Sequence, residues 1–172
     1  MSVDFYWRRV RAEVPEVSSP RRLQESVPLW SDDEFGTLQK NEEVLLVERH
    51  HALLDFLLKD AGAHDGRPHE LPVFGGERRT EHEVEPGWFE VDVWVLDPRS
   101  VREAAEFLAA FPVEQRMREL SGELAEEARA LGFSSPWDAE WQSELRQDLL
   151  RLRSFFAAAA EAGEAVLKVE RD

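Results

Sequence analysis

A chain of 172 residues, 42% of them hydrophobic, has the length of one domain and enough apolar material for one core, so residues 1–172 read as a single domain. A net charge of −15 repels phosphate backbones and anionic lipid; it argues against nucleic-acid and membrane partners and leaves a protein partner, basic by preference, or a small ligand. The absence of cysteine removes disulfides, thiolate catalysis and sulfur-ligated zinc, and the chain shows neither a membrane-length apolar run nor a signal-peptide pattern, so a cytoplasmic location is expected.

In chain order, "VDFYWRRV" at residues 3–10 is dense in β-branched and aromatic residues and predicts a first strand. A loop with Pro15, Ser18, Ser19 and Pro20 follows, then a short helix within residues 21–30, cut by Pro28. Leu45, Leu46, Leu53, Leu54, Leu57 and Leu58 recur in adjacent pairs at helical spacing, which predicts one helix over residues 42–59, or two broken near His50. Residues 61–77 form a loop of Gly, Pro and His that ends in the Gly75–Gly76 turn.

Residues 77–96 predict a hairpin about Pro86 and Gly87. In its second arm Phe89, Val91, Val93 and Val95 share one face and Glu90, Asp92 and Trp94 the other, which suits a sheet with one face on the core and one partly wet. Asp97 and Pro98 open a helix buried along Val101, Ala104, Ala105, Leu108 and Phe111. A second helical stretch, mostly solvated, runs from Pro112 to about Leu131. The longest helix spans about residues 137–162 and ends at Gly163, before a terminal strand at 164–170. The fold class is therefore α+β: a small, mainly antiparallel or mixed sheet covered by helices.

Four of the five histidines fall between His50 and Glu70. On a continuous helix His51, Asp55 and Lys59 share a face while His50 turns towards leucines, so the two adjacent histidines do not serve one site. A His and an Asp one turn apart can orient a base or supply two metal ligands. His51 and Asp55, completed by His64 or His69 from the loop, would then serve a metal-assisted hydrolase or another small-molecule enzyme. The spacing matches no H-E-x-x-H or H-x-x-E-H pattern, so a surface ion pair between His51 and Asp55 is the expected arrangement, with no metal and no other cofactor. The segment carrying His64 and His69 is not expected to fold back onto the His51 and Asp55 face. "VFGGERR" lacks the spaced glycines and Lys-Ser/Thr ending of a phosphate loop, so Gly75 and Gly76 are read as a tight turn. The serines lack a nucleophile-elbow context. The tentative binding residues are His51, Asp55, Gly75 and Gly76.

Three segments resemble the YfbM-like family of uncharacterised bacterial proteins. The ending "LRSFFAAAAEAGEAVLKVE" is similar through Phe155, Phe156, Ala159, Ala160, Gly163, Ala165, Val166 and Leu167. "VLDPRSVREAAEFLAAFPVEQRMREL" resembles the family's strand, capped helix and second helix, with Asp97 where Thr is commoner; "LLDFLLKDAG" with "LPVFGG" resembles its short apolar helix and Gly-Gly turn. Asp55 stands where the family's helix more usually has His, and Lys59–Asp60 replaces Thr-Gly. The resemblance implies a small α+β protein and assigns no reaction. A non-enzymatic binding or interaction protein is the first expectation.

Overall fold

The computed structural model describes residues 3–59, 68–82, 90–133 and 137–171. Five strands, β1 (Asp4–Val10), β2 (Val44–Glu48), β3 (Glu77–His82), β4 (Glu90–Leu96) and β5 (Ala165–Arg171), form one sheet in the order β2-β1-β5-β4-β3. Every pairing is antiparallel, and the strands nearest the two ends of the chain lie side by side, from Asp4 opposite Arg171 to Val10 opposite Ala165. An antiparallel α+β architecture is what the strand and helix pattern of the sequence predicts. The hairpin arms pair as expected, from Glu77 opposite Val95 to His82 opposite Glu90; Pro86, Gly87 and Phe89 lie outside the described residues.

Side-chain alternation sorts the sheet into two faces, and each is covered. Phe5, Trp7, Leu45, Val47, Leu96 and Val166 join the larger core with α4 (His51–Lys59), α5 (Pro98–Ala110), α6 (Val113–Glu119), α7 (Ser121–Ala130) and α8 (Ala139–Ala162). Tyr6, Leu46, Val93, Val95, Leu167 and Val169 join a smaller one with Leu23 of α2 (Pro20–Glu25), Val27 and Phe35 of α3 (Phe35–Lys40), while the short α1 (Val14–Val17) flanks it. The alternation expected of β4 is there: Val91, Val93 and Val95 are buried on the α2 side, while Asp92 and Trp94 on the other face stay partly exposed, Trp94 packing against the edge of the larger core.

The helix expected over residues 42–59 is a strand followed by a helix. Val44 to Val47 are all buried, because β2 is covered on both faces. A strand of that kind is continuously apolar, and the paired leucines on either side of the break then mimic a helical period. Glu42 and Arg49, with φ of 56° and 63°, bracket β2 and turn the chain at each end. The helix expected over residues 112–131 divides into α6 and α7 at Leu120. At the sites with clear chemical signals the local prediction holds: Asp97 accepts from the Ser100 amide at 2.7 Å ahead of Pro98, and Gly163 ends α8 at φ 67°. Arg153 of α8 donates to the carbonyls of Leu108 and Phe111 at 2.8 and 2.7 Å, fastening the end of α5 to α8.

Candidate functional site

At the exit of β2 the His50 amide donates to the Glu48 carbonyl at 2.6 Å across Arg49, whose positive φ is uncommon for a residue with a side chain. This three-residue turn starts α4 at once and sends the two histidines apart. His50 Nδ1 lies 3.2 Å from Asp148 Oδ2 and its Nε2 3.8 Å from Glu144, with Trp141 packed on the ring at 4.8 Å. His51 Nε2 instead lies 3.1 Å from Glu170 Oε1 on β5, and its ring stacks on Phe5 at 5.1 Å and meets Phe74 edge-on at 5.8 Å.

The surface ion pair expected of His51 and Asp55 does not form. Both residues are more than nine-tenths buried, and Asp55 takes the Lys59 ammonium at 2.6 Å instead. The cause is the strand before them, which anchors α4 with this face turned to the sheet rather than to solvent. His51 Nδ1 and Asp55 Oδ1 are buried with no hydrogen-bond partner among the described residues.

Beside them lies the most unusual residue of the core. Lys168 belongs to the alternation Val166, Lys168, Glu170 and so points into the larger core, directly between Trp7 and Trp94 in register. It is fully buried, and its Nζ donates to the carbonyls of Leu71 at 2.7 Å and Gly75 at 2.5 Å, while Trp7 Nε1 donates to the Pro72 carbonyl at 2.7 Å. Two donor groups from the sheet, making three hydrogen bonds, thus grip residues 71–75 and hold Phe74 against His51. Burial pushes the Lys168 amine well below the ordinary lysine value, and the negative charge of Asp55 opposes that shift. Residues 71–75, after the histidine-bearing stretch, therefore pack on the His51 side of the molecule, through Phe74 and its neighbouring carbonyls. His69 is buried, with Nε2 3.9 Å from Glu70; His64 lies outside the described residues.

His51 and Glu170 border an open cleft of 490 Å³ walled by Phe74, Phe133 and Leu131, with Arg49 at its rim. Leu131 is 43% exposed there. Gly75 and Gly76 line a separate cleft of 710 Å³ with Glu70, Glu77, Arg79 and Asp97. The four tentative binding residues thus divide: His51 faces one cleft, the glycines another, and Asp55 is buried and lines neither. Among the described residues no three His, Asp or Glu side chains are arranged to hold a metal ion, and no helix is long and apolar enough to cross a membrane.

Burial lowers the His51 pKa from its usual 6.5, against the opposing pull of Glu170, Asp4 and Asp55. With the folded value below the unfolded one, the unfolded chain binds more protons below pH 6.5, so stability is lost as pH falls from 6.5 towards the folded value. The His51 ring is expected to titrate below 6.5 by NMR, and lower still in Glu170→Gln, which removes its largest opposing charge. An unchanged midpoint in that variant would show that the His51–Glu170 contact is electrostatically idle.

Glu170, Phe74, Phe133, Arg49 and Lys168 escape a reading of the sequence for catalytic motifs. Only Lys168 leaves a trace, as a lone lysine on the apolar face of "AVLKVE". Searches of curated proteins and of solved structures each found no match. A family model described as a domain of unknown function (DUF1877) matches residues 14–169, which include every strand except β1 and part of β5, and every residue named in the His51 cleft except Glu170. The chain therefore belongs to DUF1877, the YfbM-like family, whose function is not known.

Proposed function

We propose that the protein is a non-enzymatic cytoplasmic binding protein whose His51 cleft receives a cationic group, carried by a basic protein partner or by a small ligand. One observation carries the reading: a partly exposed carboxylate, Glu170, stands at a mouth walled by the rings of Phe74 and Phe133 and by the exposed Leu131. A carboxylate beside aromatic faces attracts an ammonium or guanidinium through charge and through the ring quadrupoles, the latter worth roughly 0.5–2 kcal/mol. The net charge of −15 draws basic partners from a distance. The described lining of the cleft contains no serine, threonine or lysine that would act as a nucleophile.

Thermal-shift and calorimetric titration with capped arginine- and lysine-containing peptides is expected to show binding that weakens about tenfold, or about 1.4 kcal/mol, in Phe133→Ala and in Glu170→Gln. Glutamate-containing peptides of equal length are expected not to bind. Equal binding by the variants would remove the cleft from this role.

A further inference from the structure

β2 ends the sheet, and among the described residues no strand pairs with its outer edge. Its inner partner settles which groups face outwards. The Arg9 amide donates to the Glu43 carbonyl at 2.9 Å, so by antiparallel alternation the residues opposite Phe5 and Trp7, which are Val47 and Leu45, turn their backbone groups inwards. Val44, Leu46 and Glu48 turn theirs outwards. In agreement, the Leu46 carbonyl faces Arg151 of α8, whose Nη2 lies 3.5 Å away, at the outer limit of a hydrogen bond.

This edge differs from the opposite one. β3 carries Glu77, Arg78, Arg79 and Glu81, a run of charges of the kind that discourages strand addition. β2 reads Val-Leu-Leu-Val-Glu, and its only described guard is the long contact from Arg151. Two clefts lie along it, both bordered by Gln39 of α3 and by Arg151. One, of 390 Å³, presents the carboxylates of Glu48, Glu144 and Asp148. The other, of 360 Å³, is walled by Val44, Leu45, Phe155 and the half-exposed Leu150. Arg151 is paired with Asp148, and His50, which also lines the first cleft, lies 3.2 Å from Asp148 and 3.8 Å from Glu144, so the exposed Glu48 and the outer side of Glu144 set the charge of that cleft.

From the free edge and its two unlike clefts, we infer that an extended basic segment of a partner protein adds to β2 as a sixth strand of the sheet. Strand addition supplies main-chain hydrogen bonds to Val44, to Leu46 and to the amide of Glu48, whose carbonyl already accepts from His50, while side chains two residues apart, about 6.6–6.8 Å along a strand, enter successive clefts. The acidic cleft takes a lysine or arginine and the apolar one an aliphatic side chain. This surface is separate from the His51 cleft, on the far side of the Arg49 turn.

The probe is a capped heptapeptide with lysine, valine and lysine at its second, fourth and sixth positions and threonine elsewhere, tested against its counterpart N-methylated at every second residue, which keeps the charge and loses alternate N–H donors. Fluorescence anisotropy is expected to show binding by the first peptide and at least tenfold weaker binding by the second. Glu144→Lys and Leu150→Lys, both at partly exposed positions, are expected to weaken the first peptide about tenfold, and Glu123→Lys on α7 to leave it within twofold. In hydrogen exchange the amides of Val44, Leu46 and Glu48 gain protection on binding. Equal affinity for the two peptides means attraction by bulk charge alone and overturns the proposal. Absence of binding, or self-association of the chain that protects the same three amides without peptide, overturns it as well; in the latter case the occupant is a second copy.

Discussion

Lys168→Ala is expected to destabilise the protein by roughly 3–5 kcal/mol, from two carbonyls left without their donor and the cavity of a deleted long side chain, with a fall in Tm on the order of 10 °C. The substitution strips the donor from two carbonyls, that of Leu71 in a buried bond and that of Gly75 in a partly buried one, and opens a cavity between Trp7 and Trp94. Lys168→Met separates these contributions. It keeps most of the volume and loses only the donor, so a smaller loss of about 1–3 kcal/mol is expected. Chemical denaturation of the two variants beside the parent checks both values, and a Met variant as stable as the parent would show that the two carbonyls find other donors.

The same lysine predicts a pH dependence. Its folded pKa lies well below the ordinary 10.5, so between the folded value and 10.5 the unfolded chain holds a proton that the folded chain lacks. Stability therefore rises with pH through that window from this group, and the rise ends once the unfolded lysine also titrates. Lys168→Met lacks the rise. The stability difference between parent and variant is expected to move in favour of the parent as pH climbs towards 10.5; a constant difference would mean that Lys168 keeps its proton when folded.

Gly75→Ala is expected to cost about 1–3 kcal/mol and to weaken binding at the His51 cleft. A Cβ at this position meets the Glu70 carbonyl carbon at 2.6 Å, its oxygen at 2.7 Å and the Leu71 nitrogen at 2.8 Å, all backbone atoms of a turn already closed by the 2.6 Å bond from the Gly75 amide to Glu70. The turn must widen, which shifts the Gly75 carbonyl off Lys168 and Phe74 off His51. Gly36→Ala is the control: it lies inside α3 with nothing within 4 Å of the added carbon, and is expected to be neutral or stabilising by roughly 0.5–1 kcal/mol. If both glycines tolerate alanine equally, the turn is not the rigid support that the contacts describe.

Gly75 also illustrates how far sequence reasoning reaches. A Gly-Gly pair after an apolar run announces a tight turn, and the turn is there. Its purpose, to bring a carbonyl onto a lysine 93 residues later in the chain, has no local signal. The same holds for His51, whose partner Glu170 lies 119 residues away. Spacing along a helix suggested Asp55 as its mate, because helix geometry is all that a local pattern encodes. The protein instead joins His51 to the terminal strand and Asp55 to Lys59.

By itself the sequence determined the α+β class, the long last helix with its glycine stop, the capped start of α5, the central hairpin arms and the terminal strands. Each follows from chemistry within a few residues of the chain: a cap, a period or a left-handed position. Tertiary structure alone decided that Val44–Glu48 is a strand, that both faces of the sheet are covered, and which histidine meets which carboxylate. A fully buried strand loses the alternation that would announce it, and a polar contact between distant residues depends on sheet order and register, neither of which a local pattern specifies.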